Sequence, residues 1–138
     1  MEEAIAQDPN NAVLYYNLGV VNGNKGKRDA AISYYKKAIE LDPAYEPTYL
    51  NLASVILEGE ADIVDQMNAL GNSAAENRKY DALKQKREGL FLEAVPYLET
   101  LVSINPKNTD ALTTLKNIFG TIGDTANFKK YRDILDNQ

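Results

Sequence analysis

Cysteine and histidine are absent from these 138 residues. Without a thiol or an imidazole the chain can build no disulfide, no thiolate or imidazole metal site, no Ser-His pair and no cysteine nucleophile, which removes most familiar enzyme chemistry. Positive charge is also scarce. Fifteen Lys and Arg stand against 20 Asp and Glu, for a net charge of −5. A phosphate backbone is held by a surplus of cations on one face, so nucleic acid is not an expected partner. Long apolar runs are missing too: Met1 to Gln7 is acidic and has no signal-peptide core, and no later run is apolar enough to span a bilayer, so no direct membrane insertion is expected. What is present, 44% hydrophobic and 25% charged residues, is the composition of one ordinary globular unit.

The chain repeats itself. Ala4-Ile5 and Asp8-Pro9 recur 34 residues later as Ala38-Ile39 and Asp42-Pro43, and the same step carries Tyr15, Leu18 and Gly19 onto Tyr49, Leu52 and Ala53. Between these marks Leu14, Tyr15, Leu18 and Val21 fall at helical spacing, as do Ile32, Tyr35, Ala38 and Ile39. Gly23 and Gly26 let the chain turn between the two helices, and Asp42-Pro43 stops the second. The unit is a helical hairpin.

The order Tyr15-x-x-Leu18-Gly19, Ala31-x-x-x-Tyr35-x-x-Ala38, then Pro43, resembles the tetratricopeptide-repeat (TPR) signature nearly position for position. Small residues at 19, 31 and 38 let helix axes approach, while Tyr15, Leu18 and Tyr35 fill the space around them. A later copy keeps the register: Leu112, Leu115 and Phe119 open it, Gly123-Asp124 turns it, and Phe128, Arg132 and Leu135 close it. Leu115 to Phe128 spans 13 residues, as does Leu18 to Ala31.

The middle copy is stretched. It opens at Tyr49, Leu52 and Ala53, but its closing marks Ala94, Leu98, Leu101 and Pro106 arrive 29 residues late. Val55, Ile56, Ile63, Met67 and Leu70 continue one helical stripe, and Tyr80, Leu83, Leu90, Ala94 and Tyr97 form another. Both helices of this pair are therefore expected to be lengthened, with the break at Gly71-Asn72-Ser73 and a kink or local widening near Glu93 to Pro96. The expected fold is all-α: a short right-handed TPR solenoid of about three helix pairs, the middle pair extended into a projecting antiparallel arm. Its parts are residues 1–9 as the end of a truncated preceding repeat, 12–45 and 46–108 as repeats, the latter with a helical insertion at about 59–88, and 109–138 as the C-terminal repeat. The first of these implies an upstream continuation. The stretched repeat resembles a group of bacterial TPR proteins whose members are often envelope-associated.

In TPR arrays the first helix of each pair lines a concave groove. The resemblance places Tyr16, Asn17, Val20, Asn24, Leu50, Asn51, Ser54, Glu58, Thr113 and Asn117 on that side, as candidates for holding a protein or peptide partner. Asn17 and Asn51 offer amide donors and acceptors to a main chain, while Tyr16 and Leu50 could bury a partner's apolar side chain. A clamp for a chaperone's C-terminal carboxylate would have Lys and Asn where Tyr16 and Val20 stand; only Asn51 fits, so that ligand is not expected. Glu58, Asp62 and Asp65 share one helix face, yet the loop glycine and ligand spacing of a calcium site are missing. They are read as a solvated acidic face opposite Arg78, Lys79, Lys84, Lys86 and Arg87. Gly23 to Arg28 lacks the preceding strand and the spacing of a P-loop and is a repeat turn. No catalytic residue, metal or cofactor is expected. The chain reads as a non-catalytic interaction scaffold, with self-assembly into a homodimer through the arm, cued by Met67, Leu70 and Tyr80, or through the exposed N-terminal helix, as the alternative.

Overall fold

The computed structural model describes residues 2–138, and the side chains of Glu2 and Glu3 lie outside that description. The first residue of the 1–9 segment thus falls outside the described residues. Within them are eight α-helices and no strand: α1 Glu2–Gln7, α2 Ala12–Asn24, α3 Arg28–Leu41, α4 Glu46–Leu57, α5 Glu60–Asn68, α6 Ala74–Ile104, α7 Thr109–Ile122 and α8 Thr125–Asp136.

Local chemistry sets most of these boundaries. Asn11, Ser73, Asn108 and Asp124 each turn a side-chain oxygen onto a free backbone N–H of the first turn of α2, α6, α7 and α8. At α6 the cap is reciprocal, because Glu76 also accepts from the Ser73 hydroxyl and from the Gly71 backbone N–H. Asp42-Pro43 ends α3, and the Tyr49 hydroxyl donates to the Pro43 carbonyl, tying the α3–α4 turn to the helix after it. Gly26 and Gly123 occupy the left-handed region, with φ of 75° and 81°, at the turns after α2 and α7.

Each helix packs chiefly on its neighbours in sequence: α2 on α3, α3 on α4, α4 on α6, α6 on α7, α7 on α8, with α5 lying against α6. Such nearest-neighbour stacking is the architecture of a solenoid. Gly19 is buried where α2 meets α3, and a methyl group there would run into the Tyr35 ring. The core continues through Tyr49, Leu52, Val55 and Ile56 of α4, Phe91, Ala94, Leu98 and Leu101 of α6, and Leu112, Leu115 and Phe119 of α7. All buried residues of the 31-residue α6 lie between Phe91 and Leu101. Its C-terminal part serves as the second helix of the middle pair, and its N-terminal part carries α5 folded back along it. Arg87 of α6 reaches Glu60 of α5, while Leu83 and Lys79 lie across from Gln66 and Leu70, so the two run antiparallel.

Two sequence expectations are corrected. The first helix of the middle pair does not continue past Leu57; a turn at Glu58-Gly59 separates α4 from α5. Gly59 N–H bonds to the Ile56 carbonyl, three residues back, which tightens the last turn, and the glycine is buried against the Arg28 guanidinium, where a side chain would crowd it. In the last pair the large residue turned inward is Tyr131, 3% exposed, and not Arg132. The Tyr131 ring stacks on Phe119 at 5.8 Å, leaving Arg132 on the surface beside Asp133. The helix α6 runs through Pro96 without interruption; Pro96 is exposed and its carbonyl accepts from Thr100.

Candidate functional site

Two clefts flank α4. The first, about 180 Å³, lies between α2 and α4 and is lined by Val20, Gly23, Asn24, Asn51, Ser54, Val55 and Glu58, with Tyr35 of α3 at its base. The second, about 170 Å³, lies on the other side, between Leu57 and Glu60 at the α4–α5 turn, Phe91 of α6, and Thr114, Asn117, Ile118 and Thr121 of α7. The first helices of successive pairs thus meet at the clefts, α2 with α4 at the first and the end of α4 with α7 at the second.

Five of the ten candidate residues, Val20, Asn24, Asn51, Ser54 and Glu58, line the first cleft, and Asn117 lines the second. Asn17 is exposed outside both, Thr113 is half-buried outside both, and Leu50 is half-buried against the core. Tyr16 is less free than its position suggested. Its ring packs edge-on against Tyr45 at 5.2 Å and lies 5.9 Å from Tyr35, and the Asn51 amide donates to its hydroxyl at 2.9 Å. Tyr16 and Asn51 therefore fix the spacing of α2 and α4, with the Asn51 NH2 turned to the phenols and its carbonyl left for other partners. Burial pushes the Tyr35 hydroxyl above its ordinary pKa, helped by Tyr16 and, to a smaller extent, the Glu58 charge, while Asn51 beside both phenols opposes this.

Sequence reasoning missed Thr114, Thr121, Leu57 and Glu60. Thr114 and Thr121 occupy the positions in α7 that Asn17 and Asn24 hold in α2, so the register of the repeats was the available signal. Leu57, the last residue of α4, holds the position of Gly23 in α2, whereas Glu60 enters the site only because the chain turns at Gly59. Glu58 and Asp62, expected on one continuous face, line different clefts, since Asp62 faces Gly26 to Ala30 at the α2–α3 turn.

The stacked helix pairs and the face on their first helices define the chain as a helical-repeat protein. Residues 12–45 match the family model of the tetratricopeptide repeat, so the chain carries a tetratricopeptide repeat there. It is similar to the photosystem I assembly protein Ycf3 of Rippkaea orientalis, with 23% identity over 105 residues, covering 75% of this chain and 52% of that protein. It is 29% identical over 119 residues to the PEX5-related protein of Rattus norvegicus, covering 86% of this chain and 19% of that protein. The chain spans about half the length or less of these curated relatives. Among solved structures, that of MamA overlays 98% of this chain and 82% of its own at a TM-score of 0.40 and 23% identity.

Proposed function

We propose that this chain is a non-catalytic scaffold that holds a segment of another protein along the face shared by α2, α4 and α7. Tetratricopeptide repeats are protein-interaction units, which supports the general reading. The observation that carries the particular one is the pair of clefts on either flank of α4, opening between successive first helices and lined by amides, hydroxyls and small apolar patches. Asn24, Ser54 and Asn117 are exposed and can bond a peptide main chain, and Val20, Leu57 and Ile118 supply the apolar floor. The repeat units behind this reading are 12–45, 46–108 with its insertion at about 59–88, and 109–138, preceded by the end of another at 1–9. No metal, cofactor or nucleophile takes part.

Asn24 and Ser54 are surface residues, so the double variant Asn24→Arg, Ser54→Arg should keep the fold while filling the first cleft. A purified partner should bind it at least about tenfold more weakly than the wild type, the loss of a central anchor region, while Leu70→Lys in α5–α6 should bind normally. Equal binding by both variants and the wild type would remove the face as the working surface.

A second reading is self-assembly through the α5–α6 hairpin. It is favoured by an apolar notch of about 440 Å³ between Gln66, Ala69 and Leu70 of α5 and its following turn and Lys79, Ala82 and Leu83 of α6, near Tyr80, which is 44% exposed. Sedimentation over a concentration series decides it: a dimer that Leu70→Lys dissociates supports assembly, and a monomer at every concentration removes it.

A further inference from the structure

We infer that the segment held on this face is a basic one, an extended peptide carrying lysine or arginine; this rests on the face proposed above. The three helices that form the face are nearly free of charged residues. Among its thirteen residues α2 has none, α4 has only Glu46, and α7 has only Asp110 and Lys116. Glu46 and Asp110 lie in the first turns of their helices and line neither cleft. Lys116 holds the position in α7 that Gly19 holds in α2, where the first helix meets the second of its own pair, and it too lines neither cleft.

The charges that do reach the clefts are both negative and both come from the α4–α5 turn, Glu58 in the first and Glu60 in the second. Glu60 is engaged by Arg87. Glu58 is exposed, joins no ion pair among the described residues, and is near enough to Tyr35 for its charge to act on that hydroxyl. Arg28 rests against Gly59 without pairing with Glu58. An acidic side chain or a terminal carboxylate entering these clefts would give up water and find no cation among the residues that line them, Arg87 being already paired with Glu60. A lysine or arginine would instead find one free carboxylate among neutral Asn24, Asn51 and Ser54. The face selects by what it excludes as much as by what it offers.

The test is selection of a random dodecapeptide display library on the immobilised chain at low salt, followed by anisotropy titration of a labelled synthetic copy of the most enriched peptide. Enriched peptides should carry an excess of Lys and Arg. Glu58→Gln should weaken the synthetic peptide about two- to fivefold, the size of an exposed ion pair. Asp136→Asn, which removes the same charge from the exposed end of α8, should leave it unchanged and so separate a local contact from the attraction of the chain's net charge. Changing the peptide's cations to glutamine should abolish the difference between wild type and Glu58→Gln. Neutral or acidic peptides whose binding Ser54→Arg removes would overturn the basic-segment inference and leave the face standing. Equal weakening by Glu58→Gln and Asp136→Asn would overturn the inference as well. No enrichment, or peptides indifferent to Ser54→Arg, would overturn both.

Discussion

At position 19 the absence of a side chain is what the packing uses. Alanine would gain about 1 kcal/mol of helix propensity over glycine, but its methyl group would run into the buried Tyr35 ring. Forcing that ring aside costs about 1–3 kcal/mol. Gly19→Ala should therefore destabilise the chain by about 1 kcal/mol in urea denaturation; a stabilised variant would mean that α2 and α3 are not so close. The tyrosines also set an alkaline limit. Burial raises the hydroxyls of Tyr35, Tyr49 and Tyr131 above their ordinary value of 10.0, so the fold favours the neutral phenols. Their contribution is fully present below the unfolded pKa and is lost as pH rises through the raised values. Denaturation midpoints should stay flat from about pH 6 to 8, where the chain has no histidine to titrate, and should fall above about pH 10, less steeply in Tyr35→Phe. At this scale the sequence was legible wherever the repeat signature is dense: Gly19, Ala31, Tyr35 and Ala38 are all buried as their spacing implied. In the weaker last copy Arg132 stands at the register position of Tyr35, yet the ring that fills the core there is that of its neighbour Tyr131, stacked on Phe119.

Among the elements, α6 shows how differently two ends of one helix can be held. Its C-terminal part contains every buried residue of the helix, whereas its start rests on the Ser73–Glu76 cap and on α5. Ser73→Ala should cost about 1 kcal/mol locally, and amide exchange should accelerate in residues 74–80 with little change beyond Phe91. Acceleration spread evenly along α6 would show that the helix opens as one unit. Helix existence and turn position were readable from periodicity and from Gly71-Asn72-Ser73. The division of α4 from α5 was not, because the apolar stripe from Val55 to Leu70 runs across the break. Gly59 was the residue to weigh there: the i−3 bond it makes, and the Arg28 side chain packed on it, belong to tertiary structure and outweigh the stripe.

For the molecule as a whole, charge is sorted by element. The first helices of the pairs are almost uncharged, while α3, α5, α6 and α8 carry most of the acids and bases. A face poor in charge and rich in amides and hydroxyls, wetted but easily desolvated, suits an extended chain that brings its own hydrogen-bonding groups. Part of this face was open to sequence reasoning, since the register of the repeats marks Val20, Asn24, Asn51, Ser54 and Asn117. Two things were not: Tyr16 and Asn51 satisfy one another across 35 residues, and Glu60 arrives only through the turn at Gly59. The working surface proposed above lies on α2, α4 and α7. The most direct measurement is the change in backbone amide NMR shifts when a peptide selected by the chain is added to the isotopically labelled protein. The shifts should concentrate at Val20 to Asn24, Asn51 to Glu58 and Thr114 to Thr121; shifts confined to 62–87, on the α5–α6 hairpin, would move the working surface there.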